Sequence, residues 1–247
     1  MRRARVVYEG QEMAVSATDG GVRLPDGRIK AEHEVLWLPP IVPRTTFAVG
    51  LNYAAHAKEL DFKPPIEPLV FLKGPRSFVG HLGRTTRPAD VTFMHYECEL
   101  AVVIGREARA VPRGRALDYV AGYTVANDYA FRDYLENYYR PNLRVKSRDG
   151  ATPLGPWLVD KAEVPDPMAL AITTSVNGVV TQRASTAGMI FDVAWLIEYL
   201  SGFLTLAPGD LILTGTPEGL ADVKPGDEVV TEVAGVGRLV NVIVGDD

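Results

Sequence analysis

The chain has 247 residues, with 26 Lys and Arg against 31 Asp and Glu for a formal net charge of −5. That length suits one large domain, or one domain with a small appendage, and mild acidity gives no bulk attraction for nucleic acid or anionic membranes. Hydrophobic residues at 47% and charged residues at 23% are the proportions of a soluble globular protein.

The basic start Met1-Arg2-Arg3-Ala4-Arg5 is followed by no apolar run of the signal-peptide kind. The most apolar stretch, Met189 to Leu206, is interrupted by Asp192, Glu198, Ser201 and Gly202, so no membrane-spanning helix is expected. The single Cys98 excludes an intrachain disulfide and a cysteine-based zinc site. A cytoplasmic protein is the expectation.

Residues 1–44 read as a small leading module. Arg5 to Tyr8 and Glu12 to Ser16 have strand character, and Asp19-Gly20-Gly21 and Pro25-Asp26-Gly27 supply turns. Leu38-Pro39-Pro40-Ile41-Val42-Pro43 is stiffened by its prolines and reads as a linker into a main domain over 45–247. In that domain Phe47 to Leu51, Leu69 to Lys73, Tyr96 to Ile104, Tyr119 to Asn127 and Ala169 to Val176 read as strands. Asn177-Gly178 is a hairpin signal. Ile190, Val193, Leu196, Ile197, Leu200 and Phe203 predict one long core helix, capped by Ser185 or Thr186. Pro208-Gly209-Asp210 and Pro225-Gly226-Asp227 each lead into a strand, Leu211 to Thr214 and Glu228 to Val233, and Arg238 to Val244 is the last. Strands without regular intervening helices predict a mostly β fold, a sandwich or rolled sheet.

Four segments carry chemistry. In His95-Tyr96-Glu97-Cys98-Glu99-Leu100 the period of a strand puts His95, Glu97 and Glu99 on one face. Two carboxylates so placed repel, and a hard divalent cation removes that repulsion; an exposed acidic strand face has the same pattern. Asp128 ends the next strand, where it suits a helix N-cap or a third carboxylate for the same ion. Arg132, on the first turn of a helix beginning near Asp128, suits bidentate capture of a substrate carboxylate or a local salt bridge. Asn52 can cap a short helix on which His56 and Glu59 share a face, either as a proton shuttle or as an ordinary ion pair.

Lys73, closing Leu69 to Leu72, and Lys146 are candidates for binding a carboxylate or relaying a proton, with surface lysine as the bland alternative. The loop Leu213-Thr214-Gly215-Thr216-Pro217-Glu218-Gly219 offers amides and the Thr216 hydroxyl to an anion. Walker, G-x-S-x-G and H-E-x-x-H patterns are absent from the sequence.

Taken in order, Asn52-Tyr53-x-x-His56-x-x-Glu59, Phe71-Leu72-Lys73, Tyr96-Glu97-x-Glu99-Leu100, Asn127-Asp128-x-x-x-Arg132-Asp133, Lys146-Ser147-x-Asp149, Val176-Asn177-Gly178 and Gly215-Thr216-Pro217-x-Gly219 resemble the fumarylacetoacetate hydrolase family. The likeness runs from about residue 46 to the C-terminus. Met94-His95-Tyr96-Glu97 and the run Asp133 to Gly150 look like the branch acting in homoprotocatechuate catabolism. The resemblance implies a rolled β-sandwich, a homodimer, and Mg²⁺ or Mn²⁺ on Glu97, Glu99 and Asp128. It implies that His56 and Glu59 lie on a lid over a small 2-oxo carboxylic acid, and that Lys73, Arg132, Lys146 and Thr216 line its site with Gln182 nearby. His56 with Glu59, or Lys146, would move the proton; Arg132, with Arg140 as a weaker candidate, would hold a remote carboxylate. Enteric members of the branch carry two copies of this domain, and this chain carries one.

The activity implied is metal-dependent decarboxylation, double-bond isomerisation, or both, of a 2-oxo (2-enol) di- or tricarboxylic acid. A sister oxaloacetate decarboxylase or acylpyruvate hydrolase is the alternative within the family. A non-catalytic metal-binding module is the alternative of another class.

Overall fold

The computed structural model describes residues 1–61, 63–135 and 143–246. Two sheets dominate. The larger runs, in spatial order, through Ile29–Lys30, Gly21–Arg23, Gln11–Thr18, Arg2–Tyr8, Thr152–Asp160, Val120–Asn127, Cys98–Ile104, Leu211–Leu213, Thr46–Gly50 and Leu69–Leu72. The smaller runs through Val179–Ser185, Ala171–Val176, Glu228–Val233, Gly237–Gly245 and Gly83–Arg87. This is the expected mostly β sandwich with few helices. Among the described residues no helix is long and apolar enough to cross a membrane.

The central strand Cys98–Ile104 shows why the sheets stack. It is buried along its whole length, and its side chains alternate between two cores. Cys98, Leu100, Val102 and Ile104 join Val125, Ile172, Val233 and Leu239, between the sheets. Ala101 and Val103 face the other way, toward Ala48, Ala126, Leu154 and Leu213. Each fully buried Leu, Ile or Val contributes roughly 1.5–3 kcal/mol, so this strand is fixed on both sides. Glu99 falls on the face of Ala101 and Val103, at the end of the strand where that core opens toward the site.

The strands of residues 1–44 continue the large sheet: Arg2–Tyr8 pairs antiparallel with Thr152–Asp160 and with Leu36–Leu38. The last of these strands reaches into the segment expected as a linker.

Three expected helix starts are corrected. The helix Ala54–Glu59 begins after Tyr53, with no side-chain cap, because Asn52 is engaged elsewhere. The long helix is Val193–Phe203, and Asp192 caps it by accepting from the Trp195 amide at 2.7 Å. Ser185 instead caps the start of a 3-10 turn, Thr186–Gly188, its hydroxyl accepting from Ala187 N. The residues between are held out of the helix, with Ile190 N donating to Asn52 O at 2.7 Å. No helix begins at Asp128: Ala130–Phe131 pairs with Met94–His95, and a 3-10 turn, Arg132–Tyr134, follows. The expected strand Tyr96 to Ile104 is likewise interrupted, since Glu97 N donates to the Asn127 side chain at 3.0 Å rather than to a neighbouring strand. The strands Thr152–Asp160 and Gly83–Arg87 were not expected at all.

Candidate active site

Glu97, Glu99 and Asp128 come together where two paired strands end. Cys98–Ile104 and Val120–Asn127 run antiparallel with Cys98 opposite Asn127, and Asp128 N donates to Glu97 O at 2.9 Å. One oxygen from each carboxylate lies within 4.8 Å of the others. Gly215 N donates to Glu99 Oε2 at 2.7 Å. Gly215 has φ +89°, and a Cβ there would lie 2.8 Å from Asn52 Cβ and 2.9 Å from Val49 O, so only glycine lets this amide reach Glu99. The loop expected to hold an anionic ligand thus gives that amide to a protein carboxylate.

Burial, together with the neighbouring Asp128 and Glu97 charges, pushes Glu99 well above the usual carboxylate range. Burial also opposes ionisation of Glu97, but Lys146, His56 and Arg132 outweigh it and hold Glu97 below that range.

Two lysines serve the cluster differently. Lys146 Nζ lies 2.7 Å from Glu97 Oε2 and 3.1 Å from Asp128 Oδ2, and these charges keep its ammonium raised against the cost of burial. Lys73 is inaccessible; its ammonium pairs with Asp128 Oδ1 and donates to the Lys146 carbonyl. Burial lowers its pKa. The structure therefore commits the Lys73 ammonium to Asp128 and the Lys146 backbone.

His56 Nδ1 lies 3.1 Å from Glu59 Oε2. The other oxygen of Glu59 accepts from Gly219 N at 3.0 Å and Leu220 N at 3.2 Å, tying the short helix to the loop after Thr216. Asn52 tethers the start of this segment: Nδ2 donates to Phe191 O and Thr214 O at 3.0 and 2.7 Å, and Oδ1 accepts from Phe191 N at 2.8 Å. Gln182 sits behind Thr216, donating to Thr216 Oγ1 at 3.1 Å and Pro217 O at 2.9 Å while accepting from Thr174 Oγ1 at 2.8 Å.

A cavity of about 340 Å³ opens onto the cluster. His56, Glu97, Arg132, Lys146 and Thr216 supply its polar groups, and Leu60, Leu69, Phe71, Leu135 and Val145 much of its apolar wall. Among the described residues its lining includes neither Lys73 nor Gln182. Of the other cations in the basic run, Arg144 stacks on Tyr134 at 3.8 Å and Arg148 lies over Phe131 at 5.5 Å. Arg140, Tyr138 and Tyr139 lie outside the described residues.

One site residue went unassigned in the sequence reading. His95 is wholly buried, and its Nε2 accepts from Arg132 Nε at 2.8 Å. Burial, with Arg132 and Lys146 nearby, holds His95 well below the usual histidine range. The signal was present, since His95 was placed on the face of Glu97 and Glu99, but its partner lies across a strand pairing that spacing does not reveal.

The donor set fits a hard divalent cation. It is all carboxylate oxygen, its oxygens converge, and buried Asp128 Oδ2 faces Lys146 without receiving a hydrogen bond.

A family model described as fumarylacetoacetate (FAA) hydrolase C-terminal matches residues 45–244. A "4-hydroxyphenylacetate degradation bifunctional isomerase/decarboxylase" of Salmonella dublin is 60% identical over 217 residues, 88% of this chain and 51% of that protein. The chain spans about half the length of this relative and of a similarly named enzyme of Escherichia coli. The crystal structure of 5-carboxymethyl-2-hydroxymuconate delta-isomerase from Mycobacterium smegmatis aligns over 100% of both chains, with a TM-score of 0.87 and 38% identity. Fumarylpyruvate hydrolase from Pseudomonas aeruginosa, solved with Mn²⁺ and pyruvate, aligns with 84% of this chain and 91% of its own, with a TM-score of 0.77 and 34% identity.

Proposed function

Because the chain belongs to the fumarylacetoacetate hydrolase family, we propose that it is a divalent-metal-dependent enzyme that isomerises, decarboxylates, or does both to, a 2-oxo (2-enol) di- or tricarboxylic acid of homoprotocatechuate catabolism. The observation that carries this reading is the convergence of Glu97, Glu99 and Asp128 beside a cavity that also presents His56, Lys146 and Arg132. The names of the Salmonella and Mycobacterium relatives support the substrate class. We place the catalytic unit over 45–247 and propose a cytoplasmic homodimer.

Glu97, Glu99 and Asp128 would hold Mg²⁺ or Mn²⁺, and the Mn²⁺ in the Pseudomonas structure supports that choice. When bound, such an ion supplies Lewis acidity to the substrate's 2-oxo group and adjacent carboxylate. With Nδ1 held by Glu59, the Nε2 atom of His56 is the one placed to move a proton. In isomerisation the enol hydroxyl gives up a proton and the far carbon of the diene gains one, so composition is unchanged. In decarboxylation a carbon–carboxylate bond breaks, CO₂ leaves, and a proton takes its place on carbon. Lys146 keeps Glu97 ionised and lines the same cavity. The short helix carrying His56 and Glu59 serves as the lid.

Purified protein with Mn²⁺ tests this against 2-hydroxyhepta-2,4-diene-1,7-dioate, 5-oxopent-3-ene-1,2,5-tricarboxylate, oxaloacetate and fumarylpyruvate in parallel. Turnover of either of the first two is expected. Turnover confined to the last two assigns the chain to a sister activity. Metal binding with turnover of none makes it a non-catalytic module.

A further inference from the structure

Arg132 can read a substrate carboxylate only if its guanidinium is held still, because a free arginine carries about 2 kcal/mol of rotamer entropy. The small two-stranded sheet beside the site does this in two stages. Met94 pairs with Phe131 and His95 with Ala130, and Arg132 N extends the ladder by donating to Phe93 O at 3.0 Å. Alternation along these strands puts His95 and Arg132 on one face, as diagonal neighbours. Diagonal neighbours lie roughly 7–8 Å apart at the backbone, within reach of a long side chain. The second stage is the bond from Arg132 Nε to His95 Nε2 at 2.8 Å.

The histidine is itself fixed. Its Nδ1 faces Tyr96 O at 3.1 Å. A carbonyl only accepts, so Nδ1 carries the hydrogen and Nε2 presents its lone pair to Arg132. Asp222 accepts from Met94 N at 3.0 Å and from Arg87 at 2.5 Å, anchoring the strand from behind. With Nε directed at His95, the edge of the Arg132 guanidinium formed by its two terminal nitrogens is the one whose geometry suits a carboxylate in parallel.

We infer that His95 is the positioning residue for Arg132, and that through this bond it sets the enzyme's preference for substrates bearing a second carboxylate. The inference rests on the proposed function for the identity of that substrate class. His95 touches no substrate in this account. It fixes the angle from which the guanidinium meets the carboxylate that the Glu97, Glu99 and Asp128 cluster does not hold.

The test is calorimetric binding of 2-oxoadipate and of 2-oxohexanoate, which lacks the second carboxylate, to the Mn²⁺-loaded protein. The variants are His95→Phe, His95→Gln, Arg132→Met and the double variant His95→Phe with Arg132→Met. The wild type should prefer 2-oxoadipate. His95→Phe keeps a ring but no acceptor, and should cut that preference roughly ten- to hundredfold while leaving 2-oxohexanoate binding unchanged. His95→Gln, whose oxygen reaches the Nε2 position, should restore most of it. The double variant should lose no more preference than Arg132→Met alone. Equal weakening of both ligands by His95→Phe overturns the inference in favour of a purely structural role, as does an undiminished preference.

The wild-type chain gives a second readout, independent of whether the variants fold. Histidine-nitrogen NMR at neutral pH should show His95 protonated on Nδ1 alone, and an Nε2-protonated ring overturns the inference. A wild-type chain that turns over neither homoprotocatechuate-pathway substrate overturns the functional reading instead, and leaves the ligand preference to be judged on its own.

Discussion

The Lys146 ammonium lies 2.7 Å from Glu97 Oε2, so a protein cation sits at the edge of the carboxylate cluster on the side that meets the cavity. Removing one partner of a buried pair leaves an uncompensated charge, at a cost of roughly 3–5 kcal/mol. Lys146→Met should therefore lower the melting temperature in chelator, and added Mn²⁺ should recover most of the loss. Calorimetry in the two conditions checks this; equal stability of variant and wild type in chelator would contradict it.

Glu99 sets a pH dependence. Its folded-state pKa lies well above the ordinary 4.5, through burial and the neighbouring Asp128 and Glu97. The folded chain therefore holds this proton where the unfolded chain has released it. The stabilisation is fully present below the unfolded pKa and is lost as pH rises toward and through the folded value. In chelator, the melting temperature should fall as pH rises above about 4.5, and Glu99→Gln should flatten that fall while abolishing Mn²⁺ binding. Melting curves across pH decide it, and a fall of the same slope in Glu99→Gln would sink the assignment.

Asn52 makes a different prediction, since its role is structural. Its side-chain nitrogen donates to Phe191 O and Thr214 O, and its side-chain oxygen accepts from Phe191 N. Orphaning a buried donor or acceptor costs roughly 1–3 kcal/mol. Asn52→Ala should lower the unfolding free energy, read from denaturant melts, by at least that much and loosen the segment carrying His56, so that catalytic efficiency falls while Mn²⁺ affinity is kept. Unchanged stability would show that the bridge is dispensable.

Arg132→Lys keeps the charge but loses the planar fork and the Nε donor to His95. The loss of one charge-assisted hydrogen bond is roughly 1.5–3 kcal/mol, and catalytic efficiency on the preferred diacid should fall roughly 10- to 150-fold. Steady-state kinetics that leave efficiency unchanged would remove Arg132 from the site.

The sequence disclosed the carboxylates better than the scaffold around them. Glu97 and Glu99 stood out because charged residues beside an apolar strand are conspicuous, and Asp128 because it ends one. The strand Thr152–Asp160 was hidden by Pro153, Gly155 and Pro156, residues that argue against a central strand. Its pairing with Val120–Asn127 accommodates them through a register shift between Tyr123 and Val125. The helix expected after Asp128 gave way to Ala130–Phe131 because Met94–His95 supplies a partner ladder, and a local pattern does not report partners 35 and 37 residues away. The same pairing is what joins His95 to Arg132. Lys73 was legible as unusual, closing an apolar strand before Gly74, but not as a lysine turned inward to Asp128.

The central claim is that Glu97, Glu99 and Asp128 hold the catalytic ion for a 2-oxo (2-enol) diacid. It is tested most directly by following 2-hydroxyhepta-2,4-diene-1,7-dioate by its diene absorbance, with Mn²⁺, using wild type and Glu97→Ala. The account predicts that the wild type consumes the diene only with metal present. Glu97→Ala, folded by circular dichroism, should neither bind Mn²⁺ in calorimetry nor change the absorbance beyond the uncatalysed rate. Metal-dependent turnover by Glu97→Ala at the wild-type rate would contradict it.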